Sequence, residues 1–583
     1  MINWRRLQRL GAYLRPHGRL VLFGTVALLI VNALGVYLPG LIGDSIDFLR
    51  ETFTAGQLRN TALTIFALAS LMWVIRMLSR LVLFGLGRQV EYDLKQRLFS
   101  HLLGLEPAYF AANPSGDLIN RATSDIDNIR RLVGFALLSL INTIFAYALT
   151  LPVMLSINVR LSLLAIAVYP LMLLAVQLFS GRLQTEQLAV QERLSELSQL
   201  IQEDMSGIAL IKIYAQEENE RQAFAQRNDR LLADNLKLAR TRNFLFPLVE
   251  GLSYVSLLVL LWQGAGAIAT QAITVGEFVT LILLVERLVF PTALLGFTIT
   301  AYQRGEVSVD RVEGILQVQP RIASVAAGRS LTLEQPQGKI EARHLSFAYP
   351  GNSEPTLRDL SFVVNPGETV AIVGPIGSGK STLANILPRL LEVSPGQVFL
   401  DDRDITQIAL DSLRGAIAFV PQESFLFSTT VKNNIRYGEP VAEQPAVTEA
   451  AKQAQIHAEI LNFPREYETV VGERGITLSG GQRQRTSLAR ALLVDAPLLI
   501  LDDSLSSVDN QTATQILQNL SQGIQRKTVI FISHQLSAAA IADRILVMDR
   551  GEIVQSGRHE DLLVQPGLYQ SLWQQHQLQE ILR

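Results

Sequence analysis

Six apolar runs, each near the roughly 20 residues needed to cross a hydrocarbon core as a helix, set the first constraint on this chain. They cover about Leu20–Ile42, Thr61–Phe84, Phe135–Ile157, Leu161–Phe179, Phe244–Ala269 and Val275–Thr298. In lipid every backbone polar group must be satisfied within its own segment, so such runs span as helices. The first is too long for the apolar region of a cleaved leader and has no small-residue cleavage site after it, so it is expected to stay as a span. Arg5, Arg6, Arg9, Arg15 and Arg19 precede it, which predicts a cytoplasmic N-terminus. Trp4, Leu7, Leu10 and Leu14 recur at helical spacing and predict an amphipathic helix over 1–19 lying on the inner surface. The remaining sequence reads as an ordinary globular α/β domain. The 583 residues carry only 18% charged side chains and no Cys, excluding a disulfide framework, a thiol nucleophile and Cys-ligated zinc. A net charge of −2 supplies no global basic field, so no nucleic acid partner is expected.

The links between spans alternate in length. Those expected outside are short, the last being about Thr270–Thr274. Those expected inside, about Gly85–Gly134 and Ser180–Asn243, are long and rich in Glu, Gln, Leu and Arg at helical periodicity. The spanning helices are therefore predicted to run well past the bilayer and turn back in the cytoplasm. A polar reversal at Asn113–Gly116 is expected to begin a short helix at the first turn, and Gly207–Tyr214 to form a second. Arg76, Arg80, Glu250, Glu286 and Arg287 fall inside apolar spans. Such residues line a polar substrate pathway or pair between helices, and Arg can also snorkel to the interface; the sequence leaves these alternatives open.

From about Gly338 onward, β-rich runs alternate with helical patterns, predicting a mainly parallel sheet. The apolar strand Val370–Val373 feeds Gly374-Pro375-Ile376-Gly377-Ser378-Gly379-Lys380-Ser381-Thr382, a phosphate loop in its strand–loop–helix setting. Backbone amides from Gly377 to Thr382 would point at phosphates, aided by the helix N-terminus. Lys380 would neutralise the β- and γ-phosphates and Ser381 would ligate Mg²⁺. A second apolar strand, Leu498–Leu501, ends in Asp502 and Asp503. Asp502 is expected to hold Mg²⁺ and Asp503 to orient the attacking water.

Leu478-Ser479-Gly480-Gly481-Gln482 then resembles the LSGGQ signature of ATP-binding cassette (ABC) proteins. The resemblance covers nearly the whole chain, and six spans fused ahead of one cassette resemble the exporter half-transporter, multidrug-resistance-like in type. It implies an α-helical six-span membrane domain joined to an α/β P-loop NTPase cassette with a helical subdomain. It further implies that Tyr349 stacks on adenine, that Gln422 is the Q-loop glutamine touching Mg²⁺, that Ser506–Asp509 form the D-loop, and that His534 is the switch histidine at the γ-phosphate. Thr469–Gly475 resembles the exporter X-loop, and Asn113–Leu118 with Arg121, Thr123 and Asp125 the coupling segment. Ser479, Gly480, Gly481 and Gln482 would cap a γ-phosphate held by a second cassette, so each site needs two chains. Domain limits are expected at 20–320 for the spans, 321–337 for a linker, 338–575 for the cassette and 576–583 for a polar tail.

One departure stands out. Where the family usually has Glu, this chain has Asp503, one methylene shorter. A water-orienting group displaced by roughly 1 Å can lose about 10²-fold in rate. The expectation is one subunit of a heterodimer, binding ATP and Mg²⁺ on its own loop, hydrolysing slowly there, and completing the partner's site with an intact signature. A homodimer, a regulatory half and an ATP-gated channel are the alternatives. The expected work is ATP-driven export, or leaflet-to-leaflet transfer, of amphipathic small molecules, drugs or lipids from a cytoplasmic membrane. His344 precedes the Tyr349 strand and is expected at the surface, and His457 and His559 show no metal-ligand spacing.

Overall fold

The computed structural model describes residues 11–51, 55–322, 333, 335–352, 354–522 and 527–582. The chain divides into two compact units, Met1–Leu103 with Pro114–Val318, and Gly104–Asn113 with Gln319–Arg583.

The first unit is helical. Its elements are α1 (Gly18–Glu51) and α2 (Ala55–Leu103), then, beyond the short α3 (Pro107–Ala112), α4 (Ser115–Ile157) and α5 (Val159–Ser206), the short α6 (Ile208–Ile213), α7 (Glu217–Ala269) and α8 (Val275–Leu316). Six of these helices are long and apolar enough to cross a membrane. The 49 residues of α2 extend roughly 70 Å at 1.5 Å per residue, against a hydrocarbon core of roughly 30 Å. The predicted extension past the bilayer is thus a property of the helices themselves. The first ten residues of the expected N-terminal amphipathic helix lie outside the described residues; Arg15–His17 form a single 3₁₀ turn before α1.

Two turns differ from expectation. Most of the link after the first span is helix, since α1 runs on to Glu51 and α2 starts at Ala55. The first inner turn also places its short helix earlier than the polar reversal. Pro107 opens α3, where a missing N–H costs nothing, and Asn113 closes it with its backbone N–H and side-chain amide both donating to the Tyr109 carbonyl, at 3.0 and 2.8 Å. Asn113 precedes Pro114 and is extended (φ −123°, ψ 110°), as a residue before proline prefers. Ser115 then begins α4. The second turn matches its expectation, with Gly207 and Tyr214 flanking α6.

Met154, Met172, Leu260, Leu281, Leu284 and Leu288 are fully buried at the centre of this unit. Helices α1 and α8 cross where Gly43 faces Gly276, so closely that a Cβ on Gly276 would overlap the Gly43 carbonyl. Small residues permit such backbone approach in membrane bundles. Next to it, Asp47 of α1 accepts the Gly276 N–H at 2.8 Å, and Thr274 with Glu277 forms a capping box for α8.

The second unit holds two sheets. Its strands are β1 (Ile340–Phe347), β2 (Leu357–Val364), β3 (Thr369–Val373), β4 (Val398–Leu400), β5 (Arg403–Asp404), β6 (Ile417–Val420), β7 (Leu498–Asp502), β8 (Thr528–Ile532), β9 (Arg544–Asp549) and β10 (Glu552–Gly557). An antiparallel sheet runs β2-β1-β4-β5, and a six-stranded sheet runs β10-β9-β3-β8-β7-β6. Within the latter, β9, β3, β8, β7 and β6 are parallel and only β10 is antiparallel. Strands β3, β7 and β8 are buried at every position, which is why they read as continuous apolar runs rather than alternating ones.

Candidate functional site

Strand register brings the sequence motifs to one edge. Ile372 of β3 and Asp502 of β7 both pair with Ile532 of β8, and Val420 of β6 pairs with Leu501 of β7. The C-terminal ends of four parallel strands therefore coincide, and each continues into one motif: the phosphate loop after β3, Gln422 after β6, Asp502 and Asp503 at β7, His534 after β8. Open α/β sheets bind ligands at this carboxyl edge.

The phosphate loop folds as its glycines allow. Gly379 caps α9 (Lys380–Ile386) at φ 97°, and a Cβ there would press to 2.7 Å from Leu357. A Cβ on Gly374 would overlap the Met548 carbonyl. Lys380 is buried, and its Nζ donates to the loop's own Gly374 and Pro375 carbonyls at 2.9 and 2.7 Å and to Ser378 Oγ at 3.3 Å. Burial pushes its ammonium below the ordinary lysine range, opposed by the Asp503 and Asp502 carboxylates.

Ser381 Oγ donates to Asp502 Oδ1 at 3.0 Å. Two adjacent hard oxygens suit Mg²⁺, which keeps several waters and takes its remaining ligands from substrate phosphate. No group of three or more metal-ligating His, Cys, Asp or Glu occurs among the described residues, so phosphate and water would have to complete that shell. Burial raises the Asp502 carboxyl above the usual carboxylate range. Asp503 is also raised by burial, against the pull of His534, Lys380 and Gln422. Its φ of 44° is left-handed, a region Asp tolerates better than most residues. Tyr349 lies edge-to-face on Phe347, and its hydroxyl is 3.2 Å from Thr382 Oγ1. Lys380, Ser381, Thr382, Asp502, Asp503, Gln422, His534 and Tyr349 are thus one neighbourhood.

The signature borders it, with Gly480 lining one cavity together with Gln422 and Ser507. Ser479 caps α10 (Gly480–Leu493) in a reciprocal box with Gln482, leaving the first amides of the helix available to an anion. Among the described residues no hydrogen bond joins Ser479, Gly480 or Gly481 to the phosphate loop. Sequence reasoning missed the residues that hold the signature. Gln484 accepts from Ser507 N–H at 2.9 Å and donates to Ser506 Oγ at 3.1 Å, tying α10 to the D-loop. Glu459 accepts from Gln482 at 2.8 Å and pairs with Arg485 at 2.6 Å. Gln484 lies just past the motif, but a lone glutamine on a helix carries no signal of its partner.

These features agree with sequence likeness. Residues 21–292 match the ABC transporter transmembrane region and residues 357–506 the ABC transporter domain. The chain is 34% identical to YheI of Bacillus subtilis, a probable multidrug resistance ABC transporter ATP-binding/permease protein, over 98% of each chain. It belongs to the ABC transporter family. It is also 33% identical to the multidrug resistance-like ATP-binding protein MdlA of Escherichia coli, over 99% of this chain and 98% of that one. An ATP-dependent lipid A-core flippase of Syntrophus aciditrophicus is 33% identical, over 99% of this chain and 94% of its own. A solved bacterial Atm1-family ABC exporter with ATP bound superimposes with a TM-score of 0.76 at 26% identity, covering 96% of this chain and 99% of that one. This ABC transporter is accordingly an exporter-type half-transporter, which couples ATP hydrolysis to transport. It is a multi-pass protein of the inner membrane with a cytoplasmic cassette.

The membrane unit of this ABC transporter encloses a second candidate site. A cavity of about 670 Å³ is lined by Arg76, Arg80, Glu286, Arg287, Asn32 and Asn142 among apolar side chains. Four of the five ionisable residues noted in the spans therefore face one space. The fifth, Glu250, is exposed and accepts from Tyr254 on its own helix at 2.9 Å.

Proposed function

We propose that this chain is one half of a heterodimeric exporter moving amphipathic small molecules, drugs or lipids, and that the nucleotide site on its own loop is hydrolytically weak. The observation that supports it most is Asp503, one methylene shorter than the usual Glu, held at the end of β7 in the field of Lys380 and His534, while the Ser479–Gln482 cap of the signature helix is intact. A site built this way is completed by a second cassette.

In this account, backbone amides from Gly377 to Thr382 and the Lys380 ammonium hold the β- and γ-phosphates. Lys380 exchanges its bonds to neutral carbonyls for bonds to an anion, which relieves the burial that depresses it. Tyr349 stacks on adenine, which requires its hydroxyl to leave Thr382. Ser381, Asp502 and Gln422 would hold Mg²⁺, which when bound would offset the negative charge of the phosphates. His534 donates to the γ-phosphate. Asp503 orients water, but its side chain is one methylene shorter than the usual Glu, so water lies at the far end of its reach. Ser479, Gly480, Gly481 and Gln482 cap the nucleotide on a partner that carries Glu at the Asp503 position. The inner turns near Gly116 and Gly207 pass closure of the cassettes to the spans, so that nucleotide biases inward- and outward-facing populations.

Affinity purification of this chain from its source organism tests the pairing. Recovery of a second, different half-transporter with Glu at the matching position is expected; recovery of identical chains alone contradicts it. Accumulation of a fluorescent amphiphile in inside-out vesicles, driven by ATP, tests transport.

A further inference from the structure

We propose that the membrane cavity selects anionic amphiphiles, with a phosphate or carboxylate head group held by Arg76, Arg80 and Arg287 and the attached chain against the apolar walls. This rests on the exporter function proposed above and adds the charge of its cargo.

The charge balance of the cavity carries the inference. Its ionisable lining is three arginines and Glu286, and among the described residues no ion pair joins any of those arginines to a carboxylate. Arg76 reaches only Met72 Sδ, at 3.7 Å, and Arg80 has no hydrogen-bond partner among the described residues. Arg287 is held rather than neutralised. Its Nη2 donates to the Asn32 carbonyl and Oδ1 at 3.2 and 3.0 Å, while Asn32 in turn donates to Asn142 Oδ1 at 3.1 Å. The guanidinium lies against Gly35, where a Cβ would overlap it. Its buried Nε has no acceptor. A guanidinium fixed in place without a counter-charge is costly within a membrane, and an anion in the cavity supplies one. Because the fork of an arginine matches carboxylate and phosphate oxygens, the class of ligand follows. Leu28, Val31 and Phe290 on the same walls favour a head group carrying an apolar chain over an inorganic ion.

The approach from the cytoplasmic ends of the spans has the same sign. An adjoining cavity of about 840 Å³ shares Phe84 and Phe135 with the first and is lined by Arg130, Arg131, Arg242 and Arg304 without a carboxylate. Arg130 and Arg131 pair with Asp127, but Arg242 and Arg304 have no ion pair among the described residues. Two successive cationic spaces raise the local concentration of anions and repel cations.

Binding to the full-length protein in nanodiscs of neutral choline-headgroup lipid tests this without ATP. Probes are fluorescent phosphatidic acid, fluorescent dodecanoate, and matched neutral and cationic amphiphiles of the same chain length. Anionic probes are expected to bind at least about tenfold tighter than their matches. The variant R76Q/R80Q should remove that preference and leave the neutral probe unchanged. Arg80→Gln alone, at an exposed side chain without a partner, should reduce it several-fold with no effect on folding. Tighter phosphatidic acid than dodecanoate identifies a membrane lipid as the source, and the reverse a soluble amphiphile; both support the proposal. Equal or tighter binding of the neutral or cationic probe overturns it, and leaves the exporter function standing if that probe still accumulates in inside-out vesicles. Anion-selective binding with no ATP-driven accumulation of any probe, in inside-out vesicles from the source organism that hold both halves, would instead fail the exporter function alone.

Discussion

Asp503 concentrates the chemistry of the cassette into one side chain. It sits at the end of a fully buried strand, within the field of Lys380 and His534. Lengthening it by one methylene places a carboxylate nearer the attacking water, and Asp503→Glu is expected to raise turnover by about 10- to 100-fold. The pH dependence of MgATP affinity follows from the same burial. Asp502 and Asp503 are both raised, so as pH falls they lose charge at a higher pH than the roughly 3.9 of an ordinary Asp. Lys380 is lowered, so as pH rises it loses its proton below the roughly 10.4 of a free lysine. MgATP affinity should therefore weaken on both sides inside that ordinary window, measured by titration calorimetry; limbs at the unperturbed values would contradict the burial argument. At this scale the sequence was informative wherever chemistry demands a residue type at fixed spacing, as for Lys380, Ser381 and Asp502. It was silent on Gln484 and Glu459, whose roles exist only once α10 meets the D-loop.

At the scale of elements, α10 and the α1–α8 crossing make separate predictions. Gln484→Ala removes two hydrogen bonds to the D-loop, a loss of about 1–3 kcal/mol locally. ATP binding to Lys380 and its loop should be unchanged, while hydrolysis by the assembled transporter falls, because the signature loses its support. Equal loss of both would place Gln484 in general stability instead. Gly276→Leu forces a side chain into the Gly43 carbonyl and should lower the melting temperature in detergent, with overpacking costing about 1–3 kcal/mol or more. The helices themselves were legible because apolar run length and periodicity report directly on spans and their extensions. Turn placement was not. The first short helix precedes Asn113 because Pro107 starts it and Pro114 forbids its continuation, while the sequence argument weighed only the polar cluster.

For the whole molecule, the sheet edge and the membrane cavity illustrate opposite limits of sequence reasoning. Motifs far apart in the chain, from the phosphate loop to His534, come together because parallel strands end in register, and parallel order was predictable from alternating β and α patterns. The cavity required packing. Arg76, Arg80, Glu286 and Arg287 were visible as charges in apolar runs, but pairing between helices explained them equally well until α1, α2, α4 and α8 were seen to enclose one space.

The account turns on unequal sites, and Mg-ATP hydrolysis by this chain alone in lipid nanodiscs tests that most directly, alongside Asp503→Glu and Lys380→Ala. It predicts tight ATP binding with negligible turnover in the native chain, turnover restored by Asp503→Glu, and binding lost with Lys380→Ala. Brisk hydrolysis by the native chain that disappears with Lys380→Ala would mean a competent homodimer and would contradict it.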